Sequence, residues 1–151
     1  AVSEPTAEML ARLLVAEVAL EAGDPQRAVG LLSVQSRTRA EVLLACQALV
    51  AAGQSREAAG RLQTWVALHP VDATAWEHLS AAWSLLGQPL RAIRADAEAH
   101  VARLDLSAAL DRLKAAQEMA RRAGSDHVEA SIIDTRARRV ESLLREQAVE
   151  R

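Results

Sequence analysis

Residues 76–93 read WEHLSAAWSLLGQPLRAI. Trp76 and Trp83 stand seven residues apart, Gly87 follows four later and Ala92 five beyond that. The chain has only three tryptophans and neither phenylalanine nor tyrosine, so aromatics at this spacing ask for an explanation. Trp76, Leu79 and Trp83 fall at i, i+3 and i+7, which is one face of a helix. Gly87-Gln88-Pro89 then gives a C-terminal glycine followed by proline at the first position of the next helix. The stretch predicts a helix, a tight turn and a second helix. The tryptophans are expected to pack the core between them, with a ligand-stacking box as the alternative.

The same punctuation runs through the chain. Gly23-Asp24-Pro25 is a stop, an N-cap and a start. Thr38 with Glu41, and Asp126 with Glu129, match capping boxes. Gly53-Gln54-Ser55 stops one helix and starts another, His69-Pro70-Val71-Asp72 ends one and caps the next, and Gly124-Ser125-Asp126 closes one more. Between these marks the apolar residues recur at steps of three and four, as in Leu106, Ala109, Leu110, Leu113, Ala116 and Ala120. Eight helices are predicted, at about 6–22, 24–34, 37–52, 54–69, 72–86, 88–103, 105–121 and 125–148. The short connections make neighbours antiparallel.

A repeat underlies this order. Gly87 lies 34 residues after Gly53. Around Gly23, Gly53 and Gly87 a small residue stands seven before the glycine and an alanine five after it. The pairs are Ala16 and Ala28, Cys46 and Ala58, and Ser80 and Ala92, each 12 residues apart. Ala97 and Ala109 repeat that interval, with Leu113 four further on, so helix 88–103 is expected to serve two successive pairs. Antiparallel helices approach closely only where both present small side chains, so matched small positions set the hairpin geometry.

Composition removes several function classes. The 151 residues form a chain that is half hydrophobic with a net charge of −2, enough apolar material for a core and no broad basic surface for nucleic acid. No apolar run approaches the roughly 18 residues of a membrane span, and the start AVSEPTAEML shows no signal-peptide pattern. Cys46 is the only cysteine and sits at a small-residue contact position, where a packed thiol is expected rather than a nucleophile. His69, His78, His100 and His127 are scattered, with no H-E-x-x-H, and a zinc site needs three or four converging ligands. No glycine-rich phosphate loop and no G-x-S-x-G occurs. No catalytic residue, metal or cofactor is assigned. The mixed charges of the last helix, from Asp134 to Glu146, are expected to be solvated.

The frame resembles the tetratricopeptide repeat, W-x2-L-G-x2-Y then A-x3-F then P. Trp76-x2-Leu79-Ser80-x2-Trp83 with Ala92 matches it in the third repeat. Val42-x2-Ala45-Cys46-x2-Leu49 with Ala58-x3-Leu62 and Pro70 matches it in the second. The first keeps Val15-Ala16-x2-Ala19 with Ala28-x3-Leu32. Asp96 departs from the pattern, standing where a large apolar residue is usual. The resemblance implies an all-α solenoid of about eight antiparallel helices in one domain, residues 1–151, with repeats at about 9–38, 39–72 and 73–104 and extra helices over 105–151. Its concave face would carry Leu10, Leu13, Glu17 and Leu20, then Leu43, Gln47 and Val50, then Thr74, Glu77, Ala81 and Ser84. These residues contain no asparagine–lysine–arginine set for a terminal carboxylate, so an extended or helical peptide is the expected ligand. Helix 6–22 is apolar on most sides, whereas a terminal repeat should be polar outside. Packing against an upstream domain or a homodimer contact is expected there.

Over nearly its whole length, and most strongly from about Trp76 to Arg145, the chain is also similar to the C-terminal region of bacterial periplasmic zinc metalloproteases of the β-barrel assembly-enhancing type. The marks are Trp76, Ala97-Glu98, Ala109, Leu113 and the arginine-rich last helix. That resemblance implies a periplasmic, non-catalytic interaction module that engages the outer-membrane protein assembly machinery or its clients. The zinc motif is absent, so no catalytic residue carries over. A free-standing cytoplasmic adaptor for an unrelated peptide is the alternative.

Overall fold

The computed structural model describes residues 6–32, 35–124 and 126–151. They contain eight helices and no strand: α1 (Ala7–Glu21), α2 (Pro25–Leu31), α3 (Arg39–Ala51), α4 (Ser55–Leu68), α5 (Ala73–Leu85), α6 (Pro89–Ala102), α7 (Leu106–Ala123) and α8 (His127–Val149). The chain forms two compact units, residues 1–65 and 66–151, with the division inside α4. Among the described residues no helix is long and apolar enough to cross a membrane.

Capping explains most boundaries. Asp24, Asp72, Asp105 and Asp126 each accept a hydrogen bond from the backbone N–H three residues on, at 3.0–3.2 Å, which satisfies a donor the helix itself cannot. Gly23, Gly53, Gly87 and Gly124 all have positive φ, the left-handed conformation that closes a helix. The expected helix over 24–34 stops at Leu31, because Leu32 is extended (φ −103, ψ 138). This short helix carries Gly30 and β-branched Val29, which propagate it poorly. Residues 33–34 of the expected helix, and Ser125 at the start of the expected 125–148, lie outside the described residues.

The expected capping boxes are not formed in full. Thr38 makes no side-chain cap; Ser36 Oγ instead accepts from the Thr38 N–H at 3.3 Å. Glu41 is buried, 3% exposed. Asp126 does cap α8, but the Glu129 carboxylate turns inward to Arg94 of α6. Glu129 is thus drawn to the facing helix instead of the helix start.

In the first unit α1 packs on α2 and α3, and α2 on α3. Ala16, Ala19, Ala28, Leu32, Ala45 and Ala48 form its α1–α3 core. Cys46 of α3 meets α4, its Sγ lying 3.8 Å from the Ala58 carbonyl oxygen as donor. Burial pushes the Cys46 thiol up to about 11, with Arg61 opposing and Glu57 adding to the shift. The sign follows from linkage. The folded thiol resists ionisation, so its contribution is complete below the ordinary value of 9.0 and is lost as pH rises towards about 11. Denaturant titrations across that window are expected to show wild type losing stability relative to Cys46→Ala, with the two curves parallel at neutral pH.

In the second unit α5 packs on α6, α6 on α7, α7 on α8, and α8 also on α6. Ser80 Oγ donates to the Ala92 carbonyl at 2.8 Å, so the small residue of this hairpin touches the facing backbone. Ala97, Ala109 and Leu113 are fully buried together with Ala116, Ile133, Ala137 and Val140. Helix α6 therefore serves two pairs, as the second 12-residue interval predicts. The spacing Ala97–Ala109–Leu113 matches Ala16–Ala28–Leu32, and each set lies at the centre of a three-helix arrangement, α6–α7–α8 or α1–α2–α3. Asp96 is accommodated by an ion pair to Arg112 of α7 at 3.0 Å.

The α6–α7 turn departs from the others. Leu104 takes the left-handed conformation (φ 62) that glycine holds elsewhere, and its side chain is 76% exposed. A bulky residue there is strained and gains little packing in return. Leu104→Gly is expected to stabilise the protein by about 0.5–1 kcal/mol, the relief of strain being partly offset by the entropy of an unfolded glycine. Thermal unfolding checks it, and a lower midpoint would contradict it.

Candidate functional site

Within the first unit, Leu10 and Glu17 of α1 are exposed, whereas Leu13 and Leu20 are half-buried and pack against the α1–α3 core. On α3, Gln47 is exposed, Val50 is half-buried and Leu43 is buried. Part of this expected face is therefore spent on internal packing. The side chains it offers to solvent are Leu10, Glu17, Gln47 and part of Val50. Strong helical periodicity identifies apolar faces, but it does not say which of two faces a neighbouring helix takes.

Within the second unit, Thr74 is half-buried and Glu77, Ala81 and Ser84 are exposed. Glu77 and Ala81 stand one helical turn apart, and so do Ala81 and Ser84, so they share a face of α5. Glu77 carries the charge of this face and accepts from Arg103 at 2.6 Å. The Arg103 hydrogen bond holds the Glu77 carboxyl below the usual carboxylate range. Both side chains are nearly half exposed, so salt screens the pair and its worth is small. Arg103 was not foreseen as part of this surface. It lies 26 residues from Glu77 in sequence, and no local pattern marks it.

The tryptophans are not the buried centre of their hairpin. That role falls to Ala75, Leu79 and Ala82. Trp76 is half-buried, its Nε1 donating to the Pro70 carbonyl at 2.9 Å, which ties the turn before α5 to the helix. Trp83 is half-buried beneath the Arg91 guanidinium, 4.8 Å from the ring centroid, a cation–π arrangement across the α5–α6 turn. Tryptophan is too large to enter the small-residue contact, so it covers its edge.

Among the described residues no three histidine, cysteine or acidic side chains come together as metal ligands. His100 Nδ1 lies 3.6 Å from Asp105 at the end of α6, and His127 opens α8. A cleft of about 350 Å³ at the α7–α8 turn is lined by Gln117, Arg121, Asp126, His127 and Asp134. Apart from His127, the polar groups named here are engaged, Gln117 with Asp134 at 2.8 Å, Arg121 with Glu118 at 2.7 Å, and Asp126 with the α8 backbone. The expected solvated face of α8 is partly structural, since Arg136 reaches back to Glu98 of α6 in a two-point contact at 2.5 and 2.8 Å. No protein-family model matches the chain, and no curated protein matches it.

Proposed function

We propose that this chain is a non-catalytic protein-interaction module, a tetratricopeptide-type solenoid whose first helices receive a peptide or helix of a partner. The observation that carries this reading is the recurring small-residue contact. Ala16 and Ala28 share one buried cluster, Cys46 touches Ala58, and Ser80 touches Ala92. Repeated hairpins of matched geometry are the building units of helical arrays that bind partners along one face. Exposed Glu77, Ala81 and Ser84 on α5, and Leu10, Glu17 and Gln47 on α1 and α3, are the surfaces assigned to that task.

The module is placed in the periplasm, as the repeat region of a zinc metalloprotease of the β-barrel assembly-enhancing type that engages outer-membrane protein assembly. That placement rests on the sequence resemblance alone, which is strongest from about Trp76 to Arg145. A cytoplasmic adaptor is the alternative, and the free, buried Cys46 fits either compartment.

Photo-crosslinking in cells tests both levels. A benzophenone amino acid at Glu77, Ala81 or Ser84 is expected to capture one discrete protein, with none captured from the exposed α7 positions Lys114 and Arg122. An outer-membrane assembly component or client as the captured species supports the protease placement. A cytoplasmic partner keeps the module and overturns the placement. Equal or absent capture from all five positions overturns the module.

A further inference from the structure

Helix α1 has two apolar faces and uses one. Ala16 and Ala19, with Leu13 and Leu20 beside them, pack towards α2 and α3. On the other side Leu10, Leu14 and Val18 follow one another at intervals of four, with Val15 adjacent, and these four side chains are 43–63% exposed. Scattered single apolar residues on a surface need no explanation, but a continuous stripe along a helix does.

The charge around this stripe is also unbalanced. Glu17 and Glu21 stand three residues beyond Leu14 and Val18, and both are exposed. The last turn of α1 contains no basic residue. Helix C-termini are electronegative, so acids there raise the electrostatic energy of the free helix. Arg12, the one cation on α1, stands one turn before Val15 and borders that edge of the stripe, on the side away from Glu17 and Glu21. One occupant would relieve both the apolar exposure and the charge.

We propose that this outward face of α1 docks an amphipathic helix of another protein, apolar on one side and basic along the flank that meets Glu17 and Glu21. A lipid surface carrying negative charge is repelled by them. The site shares Leu10 and Glu17 with the α1 surface assigned above and in that part rests on that reading, but the crosslinking positions Glu77, Ala81 and Ser84 on α5 lie outside it. The peptide titration and the crosslinking therefore fail separately.

The test uses the whole chain and a synthetic peptide of roughly five helical turns, leucine on one face and lysine elsewhere, with a leucine/glutamate peptide as control. Titration followed by fluorescence anisotropy is expected to show binding of the leucine/lysine peptide that weakens with added salt. Leu14→Glu/Val18→Glu and Glu17→Lys/Glu21→Lys should each reduce it by about ten-fold or more. The charge-swapped variant should now take the leucine/glutamate peptide. Circular dichroism should show both variants folded, because every substituted side chain is exposed. Unchanged leucine/lysine binding in either variant, or equal binding of both peptides by wild type, overturns the proposal. So does concentration-dependent dimerisation of wild type that Leu14→Glu/Val18→Glu abolishes.

Discussion

Arg94→Ala is expected to lower the unfolding free energy by about 3–5 kcal/mol. Its partner Glu129 sits in the first turn of α8, only 4% exposed, with its carboxylate on Arg94 of α6. Removing the guanidinium leaves a desolvated carboxylate without its counter-charge, and that penalty exceeds the worth of the intact pair. The double substitution Arg94→Met/Glu129→Leu removes both charges and should recover most of the loss. Urea unfolding of the single and double variants measures the difference. A loss under about 1 kcal/mol for Arg94→Ala would mean that Glu129 reaches solvent. The neighbouring Glu98–Arg136 pair is more open on its arginine side, so Glu98→Ala should cost less.

Leu113→Ala is expected to cost about 2–5 kcal/mol. Leu113 is fully buried among Ala97, Ala109, Ile133 and Val140. Ala97 of α6 cannot move in to fill the space, because it already sets the close approach of the backbones, and Ile133 and Val140 of α8 are fully buried in packed positions of their own. A cavity therefore remains, and its cost adds to the lost transfer energy. Leu110, on the same helix but half-buried, should lose markedly less on the same substitution. Equal losses at the two positions, again by urea unfolding, would place the α6–α7–α8 core elsewhere.

What was legible in the sequence was chiefly local. Glycine with positive φ and aspartate as N-cap are requirements of a few consecutive residues, so Gly23-Asp24-Pro25 and Gly87-Gln88-Pro89 announce their turns directly. The 12-residue interval was legible because a hairpin forces two small residues to face each other at fixed separation. The misread features all depend on what a distant helix does. Glu129 matches a capping box by spacing, yet Arg94, 35 residues away, claims it. Leu43, Leu13 and Leu20 fit an open face by pattern, yet Leu43 is buried and the other two pack inward. Trp76 and Trp83 fit a buried face, but their size keeps them at its margin. Leu104 sits where the turn asks for glycine, so a rule based on glycine alone passes over that turn.

The most direct measurement is a set of unfolding free energies for alanine-to-leucine substitutions at Ala16, Ala58, Ala92 and Ala97, compared with the exposed Ala81 and Ala115. Matched small residues that hold helices together leave no room for three extra carbons. The four buried positions should each lose about 1–3 kcal/mol, and the two exposed ones should stay within about 0.5 kcal/mol of wild type. Losses of the same size at both sets would show that the hairpins are not built on these contacts.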